Sequence, residues 1–171
     1  GAYQLQPNLY LGGLIDQADH ELPSNYQDTR NEPTVGLFAA YSGTYEGREY
    51  IAKLSAAYNN ENYNITRDVL TNTEAGTGSG SIASEGIQLE VVTALPSYQG
   101  IAFTGVAKQN YKNSNRTGYV ETNAVDFPIT YSAVEHNAVT SELNLYGEKK
   151  LANKWQVGGY IGLEHDLSNK I

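Results

Sequence analysis

Apolar residues recur at every second position wherever this chain is apolar. From Val35 to Tyr45 the odd positions read Val35, Leu37, Ala39, Tyr41, Gly43 and Tyr45, against Gly36, Phe38, Ala40, Ser42 and Thr44 on the even ones. A period of two sends these sets to opposite faces of a β-strand. From Tyr50 to Tyr58 one face is Tyr50, Ala52, Leu54, Ala56 and Tyr58, and only Glu46-Gly47-Arg48 separates the two runs, which predicts a tight hairpin. Ile87, Leu89, Val91, Thr93 and Leu95 alternate with Gln88, Glu90, Val92 and Ala94. After a turn at Pro96 to Gly100, Ile101, Phe103, Gly105 and Ala107 alternate with Ala102, Thr104, Val106 and Lys108. Leu143 and Leu145 alternate with Glu142, Asn144 and Tyr146, and the last run sets Trp155, Val157, Gly159, Ile161 and Leu163 against Gln156, Gly158, Tyr160, Gly162 and Glu164. With an opening run from Leu5 to Ile15 and a weaker one from Phe127 to Val134, the pattern predicts about eight strands.

The predicted connections are unequal. Polar stretches at Gln17 to Thr34, Asn59 to Glu85 and Asn110 to Asp126 alternate with the tight turns at Glu46 to Arg48 and Pro96 to Gly100. Long loops on one end and short turns on the other are the arrangement of an outer-membrane barrel. The alternation also sorts charge as a lipid-facing sheet requires. Glu90, Lys108, Glu142 and Glu164 all fall opposite the uncharged faces of their strands, whereas Lys or Arg at the lipid midplane would cost about 2–4 kcal/mol. Tyr41, Tyr45, Tyr50, Tyr58, Tyr98, Tyr111, Tyr131 and Tyr146 stand near strand ends, the place of an interfacial aromatic girdle. The predicted fold is therefore all-β, an antiparallel up-and-down transmembrane β-barrel. A soluble or cell-surface β-sandwich binding carbohydrate through its Asn/Tyr/Asp loops is the alternative, since a sandwich also sorts polar from apolar faces.

Composition removes several chemistries. With no cysteine among 171 residues there is no disulfide, thiolate zinc site, iron–sulfur cluster or cysteine nucleophile. A net charge of −8 with no basic cluster beyond Lys149-Lys150 argues against nucleic acid. The stretch from Val91 to Ala107 is the longest without charge, but Pro96 to Gly100 interrupts it, so no membrane helix is expected.

The segments Tyr50 to Tyr58 followed by Tyr63-Asn64-Ile65-Thr66-Arg67, Glu85-Gly86-Ile87-Gln88-Leu89-Glu90, and Leu143-Asn144-Leu145-Tyr146-Gly147 leading to Trp155 and Gly162-Leu163-Glu164-His165-Asp166 resemble the translocator domain of bacterial autotransporters. The resemblance implies successive strands of a barrel in the bacterial outer membrane that anchors a passenger and assists its export. Its implied partners are outer-membrane lipid, the protein's own passenger and linker segment, and the barrel assembly machinery. The family's barrel ends at an aromatic residue and has more strands, so residues 1–171 read as one β-barrel domain that is incomplete at both ends. A small outer-membrane adhesin or structural barrel without a passenger is a further alternative.

Candidate chemistry is sparse, and neither catalytic residues, a metal nor a cofactor is expected. His20, His136 and His165 lie apart, without metal-ligand spacing. Asp16, Asp19, Glu21, Asp28 and Glu32 form an acidic loop without the order of a calcium site. Glu90 and Glu142 on interior faces could be paired for glycoside hydrolysis only at a separation that sequence does not set. Ser79 and Ser81 lack the nucleophile elbow, and Gly76 to Ser81 reads as a flexible linker. Asn64-Ile65-Thr66 and Asn115-Arg116-Thr117 match glycosylation acceptors, which would carry no sugar in a bacterial outer-membrane protein. The expected functional positions are the polar interior: Lys53, Gln88, Glu90, Lys108, Glu142, Gln156 and Glu164, lining a lumen where mixed charge meets water and a threaded linker.

Overall fold

Alternation over whole runs of residues dictates strands long enough to pair along their full length, and the chain forms one antiparallel sheet. A computed structural model describes residues 1–16, 26–30, 33–69, 74–123, 126, 128–151 and 155–170. The strands are β1 (Ala2–Gln6), β2 (Leu9–Asp16), β3 (Tyr26–Arg30), β4 (Thr34–Tyr45), β5 (Arg48–Arg67), β6 (Gly76–Tyr98), β7 (Ile101–Arg116), β8 (Tyr119–Val120), β9 (Thr130–Tyr131), β10 (Val134–Lys150) and β11 (Gln156–Lys170). The main sheet runs in the order β1-β2-β4-β5-β6-β7-β10-β11, with β3 pairing the far end of β5 and β8-β9 forming a separate small hairpin. The eight strands of that path follow chain order, the up-and-down topology expected, although the sheet is open between β1 and β11.

Several bounds differ from the sequence reading, each for a local reason. The opening run is a hairpin, because Pro7 cannot donate to a ladder and a turn at Pro7-Asn8 folds β1 back on β2. The turn after Tyr98 is the two-residue Gln99-Gly100, at φ 50° and 76°, while Pro96 sits in a register shift where its missing N–H leaves no gap in the ladder. Glu46-Gly47 repeats that turn chemistry at φ 50° and 75°. Much of the predicted Asn59 to Glu85 loop is strand: β5 and β6 pair without interruption from Tyr50↔Thr93 to Arg67↔Gly76. Gly76 to Ser81 is therefore strand and not a flexible linker. The weak run at Phe127 to Val134 is not one strand: Thr130–Tyr131 belongs to the small hairpin, Val134 opens β10, and Phe127 lies outside the described residues.

The segregation of connections survives these changes. Short turns follow β1, β4, β6 and β10, and the longer connections follow β2, β5 and β7, at the opposite end. Register assigns the faces. Leu11, Ala39, Leu54, Leu89, Gln109, Ser141 and His165 are mutual partners across seven strands, and the next level toward the turns holds Leu9, Tyr41, Ala52, Val91, Ala107, Leu143 and Leu163. On this outer face of β2, β4, β5, β6, β7 and β10, between Arg48 and Lys149 at the turn end and Glu85 and Glu135 at the loop end, there is no Lys, Arg, Asp or Glu.

That apolar face is uncovered: Ile87 is 52% exposed, Leu143 61% and Leu163 73%. Among the described residues Tyr63 is the one buried member of a hydrophobic core, and no second sheet packs on the outer face as a sandwich would need. Each large side chain left in water forgoes about 1.5–3 kcal/mol of burial, so an apolar wall of this extent belongs against hydrocarbon. Tyr41, Tyr45 and Tyr50 border the wall at the turn end and Tyr58 and Tyr111 at the loop end, all on the outer face. Tyr131 and Tyr146 leave the expected girdle. Tyr131 is in the small hairpin, and Tyr146 stacks on Tyr160, 5.6 Å between centroids, on the inner face.

Candidate functional site

The alternation that sends leucines outward sends charge inward, and register then lines the charges up. Lys53, Glu90, Lys108, Glu142 and Glu164 are successive partners across β5, β6, β7, β10 and β11, forming one row on the inner face. Gln88 stands one level nearer the loops, in the row Ser55, Gln88, Asn110, Thr140 and Asp166. Gln156 pairs with Lys150 beside the β10–β11 turn, on the same face but far from the row. All seven predicted residues thus share one face, and six of them form a patch.

The row alternates in sign over four strands, which neutralises neighbours at the inter-strand spacing of about 4.8 Å. Lys108 Nζ lies 3.4 Å from Glu142 Oε2, and Asn110 Nδ2 donates to Glu142 Oε1 at 2.8 Å. Lys53 Nζ stands 5.3 Å from the Phe38 ring centroid, so a cation–π contact serves the edge of the row. Beside it a groove of about 460 Å³ is lined by Leu14, Gly36, Phe38, Ala57, Gly86 and Gln88, all on the inner face. Gly36, Ala57 and Gly86 are small, Leu14 and Phe38 are apolar, and Lys53, Gln88 and Asn110 add polar groups to its lining.

Glu90 and Glu142 are two strands apart, about 9–10 Å by sheet spacing, with Lys108 between them. His136 is on the inner face opposite Ser114 and His165 on the outer face opposite Ser141. His20, Asp19, Glu21 and Glu32 lie outside the described residues. Asn64-Ile65-Thr66 is within β5, and Asn115-Arg116-Thr117 ends β7.

A second cluster, at the loop end, was not foreseen. The β7 ladder stops at Arg116, and β8-β9 carries on the register of β7 and β10, Tyr119↔Tyr131 and Val120↔Thr130 following Arg116↔Val134, while its side chains meet inner-face residues of β5 and β6. Arg67 grips Glu121 with two nitrogens, Nε to Oε1 at 2.8 Å and Nη2 to Oε2 at 2.9 Å. Glu121, 5% exposed, also accepts the Ile129 amide at 3.1 Å. Tyr119 stacks on Tyr131 at 4.6 Å and meets the edge of Tyr63 at 6.1 Å, and the Tyr63 hydroxyl donates to the Thr117 carbonyl. Gly76, Gly78 and Gly80 lie beneath: a Cβ on them would overlap Glu121, Tyr119 and Tyr63 respectively. The readable sign was glycine at every second position, which is the period of a strand face; the low complexity of the segment hid it.

The Arg67 guanidinium holds the Glu121 carboxyl below the usual carboxylate range, against the opposing effect of burial. Burial raises the Tyr119 phenol, aided by the neighbouring Tyr131 and Tyr63 and opposed by Arg116. A depressed acid stabilises the docked hairpin fully above its free value, 4.5, and loses that contribution as pH falls through the lowered one. Near-UV circular dichroism of the tyrosine cluster is therefore expected to stay flat from pH 7 to 4.5 and to be lost only as the pH falls further, through the lowered value. A midpoint near neutrality would contradict the role of Glu121.

Neither the curated proteins nor the solved structures searched include a match to this chain. The model of the Autotransporter beta-domain matches residues 1–170. An all-antiparallel sheet, an uncovered charge-free outer wall and a polar inner face agree with that match. The chain belongs to the autotransporter β-domain family, the outer-membrane β-barrels of Gram-negative bacteria that export a passenger.

Proposed function

We propose that the inner-face row Lys53, Glu90, Lys108, Glu142 and Glu164, with Gln88 above it and Gln156 near the turns, is the wall along which the passenger's linker runs. The carrying observation is that register brings five charged side chains from five strands into one line beside the groove at Phe38. Mixed charge keeps such a wall hydrated and gives a moving polypeptide weak, exchangeable partners. In this reading the barrel is not an enzyme. Lys108 stands between Glu90 and Glu142 and pairs with the second, an arrangement suited to solvation and not to a proton-sharing acid pair. Insertion is assigned to the barrel assembly machinery.

Export in cells tests the wall. The double reversal Lys53→Glu and Lys108→Glu would make the row wholly acidic while leaving the lipid face untouched. The expected result is a normally assembled barrel, judged by heat-modifiable migration, with reduced surface display of the passenger. Undiminished display from an assembled barrel would reduce the row to the wet side of a sheet.

A further inference from the structure

We propose that the outer face of β7, β10 and β11 is a self-association surface, through which two copies of this chain pair side by side in the plane of the membrane. The inference rests on the family assignment and not on the charged inner row.

Its first support is a polar row on the face turned to hydrocarbon. The level Leu11, Ala39, Leu54 and Leu89 is apolar over β2, β4, β5 and β6, and then continues as Gln109, Ser141 and His165 over β7, β10 and β11. Apolar levels bound this row on both sides, with Ala107, Leu143 and Leu163 toward the turns and Tyr111 and Val139 toward the loops. Gln109 is four residues from Asn113, the partner of Glu85, which is about 13 Å of strand. The row therefore lies inside the apolar band and not at its rim.

Hydrocarbon offers no hydrogen-bond partner, and polar groups facing it are costly, so lipid is a poor cover for this sector. The row meets part of the demand itself. The Ser141 hydroxyl donates to Gln109 Oε1 at 2.6 Å, and Gln109 Nε2 donates to the Thr140 carbonyl at 3.1 Å. The second N–H of the Gln109 amide and the His165 ring nitrogens have no partner among the described residues, and both side chains are exposed.

Its second support is symmetry. Copies inserted in one orientation are related by a two-fold axis along the membrane normal, so a row at one depth meets its own copy. Glutamine, serine and imidazole each carry a donor and an acceptor, which makes the row complementary to itself. Toward the turns, a hollow of about 460 Å³ lined by Gly105, Ala107, Leu143, Ile161 and Leu163 receives the partner's leucines. The area also suffices. Three strands at about 4.8 Å spacing by about 40 Å of strand give on the order of 600 Å² per copy and about 1,200 Å² in all, the lower end for a stable interface.

The chain has no native cysteine, so Leu143→Cys, one level from Ser141 on the middle strand, reports contact between copies. Leu54→Cys, in the row of Ser141 but on β5, is the control. The full-length protein in its outer membrane is treated with a short, membrane-permeant bis-maleimide, and only chains with heat-modifiable migration are counted. The expected result is a cross-linked dimer at Leu143→Cys in about tenfold excess over Leu54→Cys, falling to the control level when Gln109→Leu and His165→Leu are added. Both leucines suit a lipid-facing position, so the barrel still assembles. Equal yields at the two cysteines would mean chance collision and would overturn the pairing. No dimer at Leu143→Cys would leave the face to lipid, and a dimer indifferent to the two leucines would separate it from the polar row; either result overturns the proposal. A wild-type chain absent from the membrane fraction would instead refute the family assignment.

Discussion

Val91→Arg is expected to destabilise the membrane-inserted protein by about 2–4 kcal/mol, the cost of an Arg near the lipid midplane. Val91 lies on the outer face between Ala52 and Ala107, seven residues short of the end of β6, so the new guanidinium has hydrocarbon on every outward side. The neighbouring change Val92→Arg puts the same charge on the inner face, between Ile51 and Val106 and two residues from Glu90. There it reaches water and a carboxylate, and the expected cost is within about 1 kcal/mol. Equilibrium urea unfolding from phospholipid vesicles measures both. Equal costs would mean that the two faces of β6 meet the same solvent, and the assignment of faces would fail with them.

Gly78→Val acts at the other end of the same strand. Valine suits a strand better than glycine, so the β5–β6 ladder is kept or strengthened, but its side chain occupies the place of the Tyr119 ring. Forcing that overlap costs about 1–3 kcal/mol, and the hairpin, with its few attachments, moves before the sheet does. Hydrogen exchange reports the result residue by residue. The amides of Thr117 and Thr122, which donate to β6 carbonyls, are expected to exchange about 5- to 150-fold faster, while those within the β5–β6 ladder keep their protection. Unchanged protection at Thr117 and Thr122 would show that the hairpin does not depend on the space above Gly78.

These two residues mark where the sequence was readable and where it was not. Val91 belongs to a run in which Ile87, Leu89, Val91, Thr93 and Leu95 alternate with Gln88, Glu90 and Val92, and a period of two assigns faces without any knowledge of partners. The inward set Lys53, Glu90, Lys108, Glu142 and Glu164 follows from the same logic. That they share one row does not, because it depends on the exact register of four strand pairs, fixed by turns such as Gln99-Gly100 and by the bulge at Pro96. Gly78 was read wrongly for a related reason. Glycine without apolar neighbours has the composition of a linker, and its strand character comes entirely from β5 opposite and from the rings it accommodates. The Arg67–Glu121 pair, 54 residues apart, had no local signature at all.

The central claim is that odd positions of β6 face lipid and even positions face an aqueous lumen. Because the chain has no native cysteine, single cysteines placed one at a time from Gly86 to Leu95 in the full-length protein can be probed with a membrane-impermeant thiol reagent. The account predicts a strict alternation, with labelling at positions 86, 88, 90, 92 and 94 and protection at Ile87, Leu89, Val91, Thr93 and Leu95. Uniform labelling, or labelling of the odd set, would contradict it.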